Sequence, residues 1–204
     1  MRQPTPLIRK KHLEPLRPIL GSWYHVLKTY IKRVEGDLPF WYLERPQVGF
    51  LAIAAWRTGW AALEEWGTKK SSQRNQLHGR NDLWIGRGKI EFFIESKHTW
   101  CDIHNGKAKM KKALAKALVS AEVSAKELTC EPPAKKIAAV FVTPIWKGKD
   151  RKRISKDTQE WINSCKGVGA DAVALVVLDE RDKRGDGEKG ERYIGSALLL
   201  LSVK

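Results

Sequence analysis

The stretch at residues 80–98, RNDLWIGRGKIEFFIESKH, restricts the fold more than any other segment of the chain. Under strand alternation Leu83, Ile85, Phe92 and Ile94 fall on one side, and Trp84 and Phe93 on the other. A strand that is apolar on both sides belongs in the middle of a sheet whose two faces are covered. The chain must therefore build a central sheet between layers. Gly88-Lys89 separates the two apolar runs, with glycine at the first turn position, which suits a type II′ hairpin. That register pairs Arg87 with Ile90 and Ile85 with Phe92, sets Asp82 opposite Glu95, and puts Lys97 on the face of Glu95. Like charges directly opposite each other are destabilising, and charges on a covered strand are costly unless paired or metal-bound. Two carboxylates beside an ammonium are reconciled by an oxygen-ligated cation such as Mg²⁺. The competing reading is a solvated charged pair, and the apolar neighbours on the same face argue against it.

The remaining elements follow from periodicity and punctuation. Residues 1–16 are basic and proline-punctuated and read as an extended arm. Trp23, Val26, Leu27, Tyr30, Ile31 and Val34 recur at helical spacing, predicting an amphipathic helix that Gly36 ends. An aromatic connector at 37–45 leads to Pro46, which suits the first turn of a second helix running to Trp66. Glu64 and Glu65 then close that helix, with Arg57 and Trp60 on the side of Glu64. Glu44 is a third acidic candidate, although a carboxylate at a helix start also favours the dipole. Residues 67–80 read as a polar, basic loop whose Arg74 and Arg80 suit phosphate contacts.

A long helix is expected at 107–128, with Met110, Leu114, Leu118 and Ala121 inward. Lys107, Lys109, Lys111, Lys112 and Lys116 load its first half against the dipole, which an external polyanion would compensate. Strands are predicted at 137–145, 171–178 and 193–203, a helix at 157–166 with Asp157 as its N-cap, and a charged loop at 179–191. His98 alternates to the face opposite Lys97, which favours packing over a role at the metal.

Among 204 residues, Lys and Arg number 38 against 23 Asp and Glu, a net charge of +15. Such an excess favours polyanions: DNA, RNA or an anionic membrane surface. No apolar run approaches the roughly 20 residues that span a membrane. The first residues lack the apolar core of a signal peptide. Cys101, Cys130 and Cys165 are odd in number with no zinc spacing, which points to a reducing cytoplasm. The absence of a Gly-x-x-x-x-Gly-Lys-Ser/Thr loop argues against autonomous ATP hydrolysis.

Asp82, a spacer, then Glu95-x-Lys97 on the adjacent strand, preceded by a helix with acidic residues and followed by a long helix and a strand, resembles the PD-(D/E)xK nuclease superfamily. The resemblance covers about residues 46–146, with Asn81 standing where the label has proline. It implies an α/β fold of restriction-endonuclease-like type: a mixed central sheet flanked by helices. Residues 1–36 form an N-terminal helical extension and 37–204 the core. It also implies a metal-dependent endonuclease acting on DNA with Mg²⁺ or Mn²⁺. Asp82 and Glu95 would hold the metal with the backbone carbonyl of Ser96. Lys97 would orient or deprotonate water, and Glu64 or Glu65 would complete the shell. Two alternatives stand beside it. One is a catalytically inactive DNA-binding module on the same fold or a subunit of a defence or repair complex; under either reading a homodimer or a partner protein is allowed for. The other is an interaction protein displaying its nine tryptophans, which the helical and strand placement of most of them disfavours.

Overall fold

The computed structural model describes residues 5–71, 76–148, 150–179, 185–187 and 190–203, with the backbone alone at 66, 68–71 and 76–79. Its strands are β1 (Leu7–Ile8), β2 (Ala61–Ser71), β3 (Gln76–Arg87), β4 (Ile90–Asp102), β5 (Lys135–Trp146), β6 (Ala172–Val177), β7 (Arg192–Tyr193) and β8 (Gly195–Val203). Its helices are α1 (Arg17–Arg33), α2 (Glu44–Arg57), α3 (Lys107–Lys126) and α4 (Ile154–Gly167). The described residues form one mixed sheet in the order β1-β6-β8-β5-β4-β3-β2, with β7 pairing β5. β2, β3 and β4 are an antiparallel meander; β5 runs parallel to β4 after the α3 crossover.

Alternation along β5 shows why both faces are covered. Ile137, Ala139 and Phe141 join the apolar layer under α1 and α2, together with Leu83, Ile85, Phe92 and Ile94. Ala138, Val140 and Val142 join the opposite layer under α3 and α4. The layering expected from residues 83–94 is therefore present, and α1 packs in the same layer as α2. Trp23, Trp60 and Trp161 are fully buried, as expected of packing tryptophans.

The hairpin turns as its sequence predicts. Arg87 pairs with Ile90 and Ile85 with Phe92. Gly88 has φ 61° while Lys89 stays out of the left-handed region, which fits type II′ rather than I′. The ladder, however, closes at Leu83–Ile94. Beyond it β3 continues with β2 alone, from Trp66–Asn81 to Ser71–Gln76. The two strands β3 and β4 thus diverge just before the expected Asp82–Glu95 pair.

Four other expectations are corrected. The second helix ends at Arg57, not Trp66, because Gly59 takes φ 79° and closes a Schellman motif. In it the Gly59 N–H donates to Trp56 O (3.2 Å) and the Trp60 N–H to Ala55 O (3.0 Å). Glu64 and Glu65 consequently sit on strand β2, and the described residues of the expected loop at 67–80 are strand, β2 and β3. The N-terminal arm is docked rather than free: β1 pairs with β6, and Leu13 and Leu16 of a 3-10 turn (Lys11–Leu16) are buried. Asp157 lies inside the first turn of α4 instead of capping it, buried and accepting from Trp146 Nε1 at 3.0 Å.

Candidate functional site

Where β3 leaves β4, carboxylates from three elements come within electrostatic reach of one another. Asp82, the first residue past the ladder, turns its Oδ2 to the Ser96 backbone N–H (2.7 Å) and Oγ–H (3.0 Å). Glu95 is 5 % exposed. Lys97, two residues on along the same face, places Nζ 3.7 Å from Glu95 Oε1. The third carboxyl is that of Glu44, in the first turn of α2 and the one acidic residue of that helix. Burial raises its pKa; Lys97 opposes the shift, while the neighbouring Asp82 and Glu95 add to it.

A cleft of about 280 Å³ opens beside this group, lined by Leu43, Glu44, Arg45 and Val48 at the start of α2, Glu64 and Glu65 of β2, and Asp82 of β3. Its carboxylates are gathered in a chain with net charge +15. Hard oxygen donors converging against the sign of the whole molecule suit a divalent cation, and Mg²⁺ needs only one or two carboxylates because it keeps several waters. Among the described residues no three His, Cys, Asp or Glu side chains close tightly enough to form a ready-made metal cage.

The two glutamates of β2 differ. Glu65 is clamped by Arg45, through Nε and through Nη2 at 2.6 Å, and by Arg80 Nη1 at 3.3 Å. The hydrogen bond with Arg45 holds its carboxyl below the usual range. Arg80, expected to meet phosphate, is thus engaged within the protein. Glu64 packs its Oε2 about 3.5 Å from where a Cβ on Gly49 would stand, and burial followed by the charge of Glu65 raises its pKa. Arg74 lies outside the described residues.

His98 turns away from Lys97, as alternation predicts. Its Nε2 lies 3.0 Å from Thr143 Oγ1, and the Thr143 hydroxyl donates to Phe40 O at 3.0 Å. One hydroxyl has one proton, so Nε2–H is the donor to Oγ1. Burial lowers its pKa to about 4. Lys107, Lys109, Lys111 and Lys112 are exposed on α3, which leaves the sheet from the C-terminal end of β4 through the turn Ile103–Asn105.

Glu44 is the residue whose place sequence reasoning undervalued. Thr58-Gly59 was the available signal: read as a helix stop, it leaves Glu44 as the helix's acidic residue. No family model matches the chain, and no curated protein or solved structure matches it either.

Proposed function

We propose that this protein is a metal-dependent nuclease that hydrolyses phosphodiester bonds in DNA, with a restriction-endonuclease-like core. The observation that carries this reading is the place where β3 and β4 diverge: Asp82 accepts from Ser96, Lys97 pairs with Glu95 at 3.7 Å, and Glu44 of α2 lies within electrostatic reach of Asp82, Glu95 and Lys97. The order α2, meander β2-β3-β4, crossover α3, parallel β5 supports it, since a helix, adjacent strands bearing Asp and Glu-x-Lys, a long helix and a further strand are what the superfamily resemblance requires. Asp82 through its other oxygen, Oδ1, together with Glu95, Glu44 and the Ser96 carbonyl, are the groups that would hold Mg²⁺ or Mn²⁺. The bound ion supplies charge that lowers the pKa of a water and offsets charge on the phosphate. Ser96 fixes the Asp82 carboxylate through two hydrogen bonds, so the donor oxygen is oriented before any ligand arrives. Lys97 presents N–H donors where negative charge develops in the transition state. Glu65 holds Arg45 and Arg80 at the rim of the cleft.

Purified protein is expected to cut DNA with Mg²⁺ or Mn²⁺ and to stop with EDTA. Asp82→Ala, Glu95→Ala and Lys97→Ala each abolish cutting while DNA binding persists; cutting retained in all three places the chemistry elsewhere. A second reading, a DNA-binding module without catalysis, is favoured by one observation: Asp82 and Glu95 already find partners in Ser96 and Lys97. Metal-independent DNA binding with no cutting under any divalent ion selects it.

A further inference from the structure

On the other side of β5 from the acidic cleft, three lysines and a histidine gather at one groove. Lys135 and Lys136 open β5, while Lys10 and His12 belong to the docked N-terminal arm. The groove encloses about 610 Å³ and also takes in Asp171 and Ser202, near the end of β8. It shares no lining residue with the acidic cleft, whose residues lie beyond β4 in the strand order.

The arm is fixed before any ligand arrives. The Arg9 backbone N–H donates to Asp171 O at 2.8 Å, and its guanidinium donates to Ala170 O at 2.7 Å and to Lys166 O. Leu13, one residue past His12, is fully buried. His12 Nε2 lies 2.6 Å from Ser202 Oγ, which ties the arm to the last strand. The backbone at Lys10 and His12 is therefore held at the groove.

The positive charge here is not balanced from within. Among the described lining residues the one carboxylate is Asp171, 8 % exposed, and its Oδ2 accepts from the Ser202 backbone N–H at 2.9 Å. Lys136 donates to the Lys126 carbonyl at 3.3 Å, not to a carboxylate. Lys135 is half-buried and makes no ion pair among the described residues. A partly buried ammonium beside others of like sign is costly without a counter-charge, and a bound anion supplies one. Lysine is a point charge with three donors, which suits the oxygens of a phosphate. Leu201, Val203 and Pro132 add an apolar wall. Small-molecule sites pair such a wall with a few convergent polar groups in cavities of roughly 300–1,000 Å³. Cations converging on one cavity from two segments suit a single phosphate, whereas a nucleic-acid backbone is met by cations spread over a face or along a helix, as on α3.

We propose that this groove is a second binding site, for a phosphate group that is free or carried by a small molecule. Lys10, Lys135 and Lys136 hold the phosphate, with His12 and Ser202 as hydrogen-bond partners. The site is separate from the nuclease reading and survives its failure.

Inorganic phosphate and adenosine monophosphate serve as probes, titrated calorimetrically into the full chain in EDTA at constant ionic strength. Binding of either probe at one site per chain is expected. Tighter binding of the nucleotide names a phosphate ester as the occupant; otherwise the free ion is the ligand. Lys135→Ala weakens binding roughly 10- to 150-fold, the range for one hydrogen bond to a charged group, and Lys135→Arg retains most of it. If Lys135→Ala melts early, His12→Ala, at an exposed position of the arm, reads the same loss. Lys32→Ala, at the exposed end of α1, leaves binding within about twofold. Absence of binding by both probes overturns the proposal, as does an equal loss in Lys32→Ala, which would mean diffuse charge alone. A DNA oligonucleotide that displaces the probe and loses as much affinity in Lys135→Ala gives the groove to nucleic acid and overturns the small-ligand assignment.

Discussion

At neutral pH the carboxyl of Glu44 is held among Asp82 and Glu95 with Lys97 as the neighbouring cation, and burial disfavours its ionised form. The fold raises this pKa, so the stability Glu44 contributes is fully present below the ordinary carboxylate value, near 4.3, and is lost as pH rises through the raised value. Glu44→Gln is therefore expected to raise Tm at pH 7 in EDTA. Mg²⁺ should reverse the comparison: an ion bound only by the folded arrangement stabilises by about 2.7 kcal/mol at a hundred times its Kd, and Glu44→Gln and Asp82→Asn should gain less. Thermal melts with and without Mg²⁺ check this, and an equal gain in the variants would remove Glu44 and Asp82 from the ion's shell. His98 runs the other way. Its folded pKa of about 4 lies below the unfolded value near 6.5. Its stabilisation is complete above 6.5 and is lost as pH falls from 6.5 toward 4. His98→Gln should flatten the fall of Tm across that window, and a melt series from pH 7 to 4 reads it directly.

At the scale of elements, Gly59 decides where α2 stops. A Cβ there meets nothing within 4 Å, so Gly59→Ala tests the left-handed backbone alone and should cost about 1–2 kcal/mol, measured by urea unfolding. This glycine also explains what was legible in the sequence. The β3–β4 hairpin could be read because alternation and Gly88 are local signals, and with it came Asp82, Glu95 and Lys97 as one group. α3 and β5 were legible for the same reason, a long periodic face and an apolar run. β2 was not. Its Ala61-Ala62-Leu63-Glu64-Glu65 start is made of good helix formers, and pairing with β3 overrides that preference. Reading helix to Trp66 put Glu64 and Glu65 at a helix end and hid Glu44. Its importance depends on how α2 packs over the strands, a contact that no local pattern records.

For the whole molecule, +15 net charge sets how the protein meets a polyanion. Duplex binding should weaken with salt at a log–log slope of about −0.9 per phosphate neutralised. Replacing Lys107, Lys109, Lys111 and Lys112 together by alanine should flatten that slope by about 0.9 for each lysine that contacts phosphate; an unchanged slope returns them to solvent. Among the described residues the sheet ends at β2, an 11-residue strand with no further strand paired on its outer side. Such an edge invites a second chain to add a strand and so seeds aggregates. Glu65 lies in its middle at φ 49°, a left-handed kink that Arg45 and Arg80 pin from the side chain. A strand arriving from another molecule could pair with Ala61 to Glu64 and would then lose its hydrogen-bond rhythm. The kink that the clamp holds therefore works against edge-to-edge pairing, and Arg45→Ala is expected to lower the protein concentration at which aggregates form, read by light scattering.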